Sequence, residues 1–255
     1  MGKVLAIASA AVLALVVIGS ALANHAWGNY HWSRASNPFT LQVGNDVNAG
    51  WDSYLNTAIS DWAASDVLDL TKVSGNGSGS TCSPTSGRIE VCNGAYGSTG
   101  WLGVAQIWTT KGSHITQATT KVNDTYFNSA PYNTSAWRQL VICQEVGHDF
   151  GLDHQDENFN NPNLGTCMDY TNDPSTNQHP NAHDYEELDI IYNSHLDGSG
   201  GGGKPCNPHK PNCQSGAVGN APPFSQASRA NGDLYVDELP DGGHRITHVF
   251  WAPLG

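Results

Sequence analysis

Five short runs between Phe39 and Val122 have the alternation of hydrophobic and polar positions, or the β-branched and aromatic residues, that are typical of β-strands. Between the first two of these runs, Trp51, Leu55, Ile59 and Trp62 recur every three or four positions, which predicts an amphipathic helix over Ala49–Ala64. The pattern therefore predicts a protein that combines a sheet with helices. The strand-like runs lie at Phe39–Val43, Val67–Val73, Arg88–Cys92, Val104–Thr109 and Ile115–Val122.

Two further helices are predicted in the second half. Thr134 or Ser135 is placed to cap a helix from Ala136 to about Phe150, since short hydroxyl side chains accept hydrogen bonds from the free N–H groups of a first turn. A last helix is predicted from His183 to about Asn193.

The composition changes after that helix. A Gly-rich linker occupies 198–203, and a hairpin is predicted from Leu234–Leu239 and His244–Trp251 around the turn Pro240-Asp241-Gly242-Gly243. Because so small a stretch seldom folds unaided, we expect residues 204–255 to form an appendage that docks on the main domain or on an external surface.

The beginning of the chain has the pattern of an export signal. Lys3 precedes an apolar run from Val4 to Ile18, and Ala21-Leu22-Ala23 matches a cleavage site, so we expect a signal peptide over 1–23 and a secreted, extracellular chain from Asn24. The alternative is an uncleaved membrane anchor, for which the apolar run is short. We expect no membrane association after cleavage, and a monomer.

The net charge of the chain limits the kinds of molecule that it is expected to bind. The net charge of −12 excludes a protein that works by neutralising phosphates, so nucleic acid is not an expected partner. No Lys or Arg lies between Arg138 and Lys204, where the acidic residues are concentrated. This segment is either a solvated acidic surface or a negative field that favours neutral or cationic substrates.

The six cysteines fall into three local couples, and export favours disulfides. Short loops would be closed by Cys82 with Cys92 and by Cys206 with Cys213, which leaves Cys143 with Cys167. The last pair encloses the most informative segment of the chain.

That segment has the spacing of a catalytic zinc site. On a helix Gln144 and His148 share one face, with Glu145 beside them. Gly151 is placed to end the helix in a left-handed turn, which returns His154 toward the same point. Three converging side chains with an adjacent carboxylate match three zinc ligands, an open position for water and a general base.

These residues resemble the signature of the metzincin zinc endopeptidases, HExxHxxGxxH followed by a Met-turn. The resemblance covers about Asn37 to Leu196. It implies a twisted, mixed five-stranded sheet with two long helices, a Met-turn and a C-terminal helix. The matching residues are Glu145, His148, Gly151, His154 and Met168, and Cys167-Met168-Asp169-Tyr170 is similar to the Met-x-Tyr turn of the astacin and serralysin branches.

The resemblance also implies roles. Zn²⁺ would be held by residues 144, 148 and 154, Glu145 would act as general base, and Tyr170 would help to stabilise the oxyanion. A protein or peptide substrate would lie extended along an edge strand, here Gly103 to Thr109.

One position departs from the signature, because Gln144 stands where the family has its first histidine. In one alternative Gln144 binds zinc through its amide oxygen, which is a weaker ligand for this ion than imidazole. In another, His148 and His154 hold the metal together with water. Another histidine is a further option, as is an empty site. The histidines considered are His114, His179 and His183.

The sequence thus predicts a secreted metal-dependent endopeptidase, with a catalytically impaired binding or structural protein as the alternative. The expected organisation is a signal peptide (1–23), an N-terminal segment (24–36), a metzincin-like peptidase domain (37–197), the linker (198–203) and the appendage (204–255). A Ca²⁺ loop is a weaker expectation, at Asp156, Glu157, Asn158, Asn160 and Asn161.

Overall fold

A mixed sheet forms the centre of the computed structural model, which describes residues 25–193, 196–197 and 221–253. The strands follow the order β3-β2-β4-β6-β5-β8-β7, with β1 beside β6. The first four in this order are parallel, whereas β5, β8 and β7 each run antiparallel to the strand before them. The strands are β1 (His31–Trp32), β2 (Phe39–Asp46), β3 (Leu68–Ser74), β4 (Arg88–Gly94), β5 (Trp101–Thr109), β6 (His114–Asn123), β7 (Leu234–Glu238) and β8 (His244–Trp251).

The helices complete an α+β architecture, as the hydrophobic pattern predicts. They are α1 (Asp52–Trp62), α2 (Asp124–Phe127), α3 (Ser135–His148) and α4 (Ala182–Asn193). The sequence did not predict β1 or α2, because two and four residues are too few to show a periodic pattern. Thr134 caps α3 by accepting a hydrogen bond from the backbone N–H of Trp137 at 3.2 Å.

The core lies between the sheet and the pair α1 and α3. The indole N–H of Trp62, on α1, donates to the backbone carbonyl of Cys143 in the middle of α3 at 3.0 Å. Leu55 and Trp62 are fully buried, and every residue of α3 from Gln139 to His148 is buried. A helix buried on all sides must satisfy its polar side chains internally, which makes the polar residues of α3 informative.

Two of the three predicted disulfides are confirmed. Cys82 is bonded to Cys92, and Cys143 is bonded to Cys167, which joins α3 to the segment that carries Met168. The third pair, Cys206 with Cys213, lies outside the described residues, as do the predicted linker and signal peptide. Within the part of the chain that the structure describes, no helix is long and apolar enough to cross a membrane.

The mixed sheet has more strands than the five that the resemblance implies, and β5 does not lie at its edge. The C-terminal hairpin of β7 and β8 extends the same sheet, and β8 pairs with β5 from Trp101↔Trp251 to Thr109↔His244. The physical reason is the apolar alternation of β8, which turns Ile246 and Phe250 into the core while its backbone groups satisfy those of β5. An edge position for β5, which the predicted mode of substrate binding requires, is therefore absent.

Replacing both Cys143 and Cys167 with alanine is expected to lower the free energy of unfolding by about 3 kcal/mol, because their bond closes a long loop. In a domain of this size the loss corresponds to a fall of roughly 6–12 °C in Tm. Differential scanning calorimetry measures it.

The matched control replaces Cys82 and Cys92, which are 10 residues apart rather than the 24 of Cys143 and Cys167. A smaller loss is expected for the control because the closed loop is shorter. A double variant at 143 and 167 that melts at the wild-type temperature would contradict this role of the bond.

Candidate metal centre

His148 lies at the end of α3 with its ring fixed by a backbone carbonyl. Its Nδ1 lies 2.9 Å from the carbonyl oxygen of Leu152, and its side chain is buried. Because a carbonyl oxygen only accepts hydrogen bonds, Nδ1 carries the proton and Nε2 presents its lone pair. A metal-ligating histidine is commonly oriented in this way.

His154 returns to His148 through the turn at Gly151. Gly151 has a φ of +93°, and an added Cβ would lie 2.2 Å from the carbonyl oxygen of Tyr30, so both the conformation and the space require glycine. The Nε2 atoms of His148 and His154 lie 3.1 Å apart. Two Zn–N bonds of about 2.0–2.1 Å at a tetrahedral angle give a similar separation, roughly 3.3 Å.

The third imidazole of the cluster comes from β8. Donor nitrogens of His148, His154 and His248 lie within 4.8 Å of one another, and all three residues are buried. The ring of His248 stacks on that of His148 at a centroid distance of 4.0 Å, and Trp27 covers it at 4.1 Å. Neither ring nitrogen of His248 makes a hydrogen bond among the described residues.

The histidines that the sequence suggested as substitutes lie elsewhere. His114 pairs with Asp197 at 3.2 Å, and the exposed His179 pairs with Asp61 at 2.7 Å. His183 lies beside His25, at a centroid distance of 4.7 Å. None of the three belongs to the group formed by His148, His154 and His248, so the structure does not support them as substitutes.

Sequence reasoning missed His248 because the decisive contact is the pairing of β8 with β5. Its only local signal is that His248 stands between Ile246 and Phe250 on the face of β8 that is otherwise apolar.

Gln144 and Glu145 lie one turn before His148, and neither is exposed to solvent. The Gln144 amide donates through Nε2 to the carbonyl of Cys167 at 2.8 Å, which leaves its Oε1 buried without a partner among the described residues. Neither carboxylate oxygen of Glu145 makes a hydrogen bond of ordinary geometry to a described residue. Burial raises the pKa of Glu145 well above its usual range, and the nearby Asp149 adds to this.

The three imidazoles differ in their electrostatic surroundings. Burial lowers the pKa of His148 and of His248 well below the ordinary value, which favours the neutral form that ligates metals. Burial acts in the same direction on His154, but the carboxylates around it outweigh this effect and raise its pKa. Those carboxylates belong to Glu157, Asp233 and Asp153, at 3.6–3.8 Å from its Nδ1.

The Met-turn, residues 167–170, lies along the loop that carries His154. The N–H of Gln155 donates to the carbonyl of Met168 at 2.7 Å, and Met168 is fully buried. The Tyr170 ring packs on that of His154 at a centroid distance of 4.2 Å, and its hydroxyl donates to Asp233, just before β7. The turn thus supports one side of the cluster.

The donor set fits a divalent transition metal such as Zn²⁺. Imidazole nitrogens suit this ion, and a buried amide oxygen is available as a weaker donor. The unsatisfied atoms of Gln144, Glu145 and His248 are the buried polar groups that such an ion would satisfy.

The segment suggested for Ca²⁺ is occupied by local hydrogen bonds. The side chains of Asp156 and Asn158 accept from the backbone N–H groups of Asn158 and Asn160, and the Ca²⁺ site stays a prediction.

The chain matches no family model and no curated protein. Its structure is similar to that of high choriolytic enzyme 1, a hatching enzyme zinc-protease from the medaka fish Oryzias latipes. The TM-score is 0.36 and the sequence identity 11%, and the match covers 64% of this chain and 94% of that one. These values are too low to assign this chain a family or an activity, so its function has to be inferred from the site itself.

His154→Ala is expected to weaken Zn²⁺ binding by at least about 100-fold, since it removes a donor outright, whereas loss of an outer partner costs about 10–100-fold. Competition with a chromophoric chelator measures the affinity. His179→Ala, an exposed histidine outside the cluster, is the control and should bind as the wild type does. Equal affinities in the two variants would place the metal elsewhere.

Gln144→His is expected to tighten Zn²⁺ binding by about tenfold or more, because imidazole is a better ligand for this ion than an amide oxygen. The same titration compares it with Gln139→His, which adds a histidine to the same helix at another buried position. If the two variants bind equally, residue 144 does not face the metal.

Proposed function

We propose that this protein is a secreted zinc-dependent endopeptidase. The observation that carries the proposal is the buried imidazole cluster of His148, His154 and His248 with Glu145 on the same helix as His148. Buried imidazole donors beside a carboxylate are the groups that metal-dependent peptide hydrolysis uses. Support for secretion comes from the predicted signal peptide and from the two disulfides, which persist in oxidising compartments.

The residues available to hold the ion are the three histidines, with the amide oxygen of Gln144 as a further donor. A zinc ion bound there would supply Lewis acidity toward water and the peptide carbonyl. Glu145 would then accept a proton from the attacking water and deliver it to the leaving amine. Its carboxylate form would be favoured by a neighbouring cation, which opposes the effect of burial on its pKa.

Tyr170 is proposed to assist at the carbonyl oxygen of the substrate. Its ring packs on that of His154, and burial raises the pKa of Tyr170 well above its usual range, so that its hydroxyl remains a hydrogen-bond donor. That hydroxyl currently donates to Asp233, so Tyr170 has to exchange this partner in order to act.

Glu145→Gln is expected to keep the metal and to lose peptide cleavage by about 10²–10⁴-fold, because the amide cannot accept the proton. Metal content by inductively coupled plasma mass spectrometry and cleavage of a quenched fluorescent peptide library are measured on the same samples. Glu186→Gln, on the exposed side of α4, is the matched control and should cleave normally.

A chain that holds one zinc ion and cleaves no peptide in any variant would support the binding or structural alternative. Cleavage that persists in Glu145→Gln would remove Glu145 from the proposed role.

A further inference from the structure

The hairpin of β7 and β8, together with Asp233 just before it, contacts β5, Tyr170 and the two histidines of the main domain. The inference drawn from these contacts rests on the proposed function. β8 lies along β5, Asp233 accepts the hydroxyl hydrogen of Tyr170, and His248 joins the metal cluster. These contacts come from β8 and from Asp233, the residue just before β7.

β5 is the strand that lies beside Glu145. An ideal Cβ at Gly103 would be 2.5 Å from Oε1 of Glu145, so only glycine lets the backbone of β5 approach the carboxylate this closely. A peptide that adds to this strand uses the N–H and C=O groups that β8 now occupies. The flank of β5 therefore suits an extended peptide, and the chain fills it with its own strand.

His248 occupies the centre of this arrangement. It is paired in register with Ala105 of β5 and faces His148, between the flanking apolar residues Ile246 and Phe250. Catalytic zinc sites keep one position open, whereas sites with four protein donors are closed. Gln144, His148 and His154 already supply three donors, so His248 makes a fourth.

Burial agrees with a closed site. Glu145 has no exposed surface, and His148 and His248 are 1% and 2% exposed. Outside the main core the hairpin is held by a small separate cluster of Val104, Tyr235 and Val249. Access for a substrate thus requires that the hairpin leave β5.

We propose that the hairpin is an intramolecular occupant of the substrate position, in which β8 takes the place of a substrate strand and His248 supplies the fourth metal donor. Displacement of the hairpin frees the flank of β5, the hydroxyl of Tyr170 and one coordination position. Gln144, His148 and His154 remain on the main domain to hold the ion.

The test weakens the docking of the hairpin in the full-length, zinc-loaded protein. Tyr235→Ala and Val249→Ala remove packing outside the main core, and Tyr54→Ala on α1 is the control for loss of a tyrosine elsewhere. The probe is a fluorescent peptide with the sequence of residues 244–253. Both hairpin variants are expected to bind it at least about tenfold more tightly than the wild type and the control, because a larger fraction of molecules is open.

A locked variant gives the opposite result. Gln106 and Thr247 are direct cross-strand partners, and the spacing of such pairs permits a disulfide. Gln106→Cys with Thr247→Cys is expected to bind the probe at least about tenfold more weakly when oxidised than when that bond is reduced.

A second probe tests whether the histidine of the peptide binds the metal. The same peptide carrying His248→Ala should bind zinc-loaded Tyr235→Ala at least about tenfold more weakly than the parent peptide, and both should bind the metal-free protein equally.

Two outcomes overturn the inference: hairpin variants that gain no affinity for the probe, and probes that bind the zinc-loaded protein equally with and without the histidine. Failure of the proposed function has a different signature. Hairpin variants that bind the probe tightly but show no Glu145-dependent cleavage would contradict the peptidase while the inference stands.

Discussion

The structure depends on one unfavourable arrangement, the burial of polar donors at the end of α3. Gln144, Glu145, His148 and His248 are all enclosed, and three of them have unsatisfied polar atoms among the described residues. Each such group costs about 1–3 kcal/mol if nothing satisfies it. A metal ion among them would offset these costs together, which would account for the three buried polar residues near the end of α3.

The rest of the fold keeps these donors in place. The disulfide from Cys143 fixes the Met-turn against α3, and the turn at Gly151 brings His154 back. The buried Asp184, on α4, accepts hydrogen bonds from Gln155 and Thr166. Asp184 thereby links the segment that carries His154 to the segment that carries Met168. Preorganisation of this kind would lower the cost of assembling the proposed metal site.

Periodicity predicted five of the six strands and three of the four helices that the structure describes before the hairpin, because each of these is long enough to show its apolar face, whereas β1 and α2 are not. The spacing of residues 144 to 154 predicted which side chains approach one another, because helix geometry and a glycine turn are local. The third imidazole could not be predicted in this way. His248 reaches the cluster only because β8 pairs with β5, more than 130 residues away in sequence, and the residues between them carry no local signal for that pairing. The expected free edge of β5 failed for the same reason.

The most direct measurement is X-ray absorption spectroscopy at the zinc edge, on the full-length wild type and on His248→Ala. The account predicts three imidazole nitrogens at about 2.0–2.1 Å from the metal in the wild type and two in the variant. The same number of imidazole ligands in both proteins would contradict it, because the metal would then be held without the C-terminal strand.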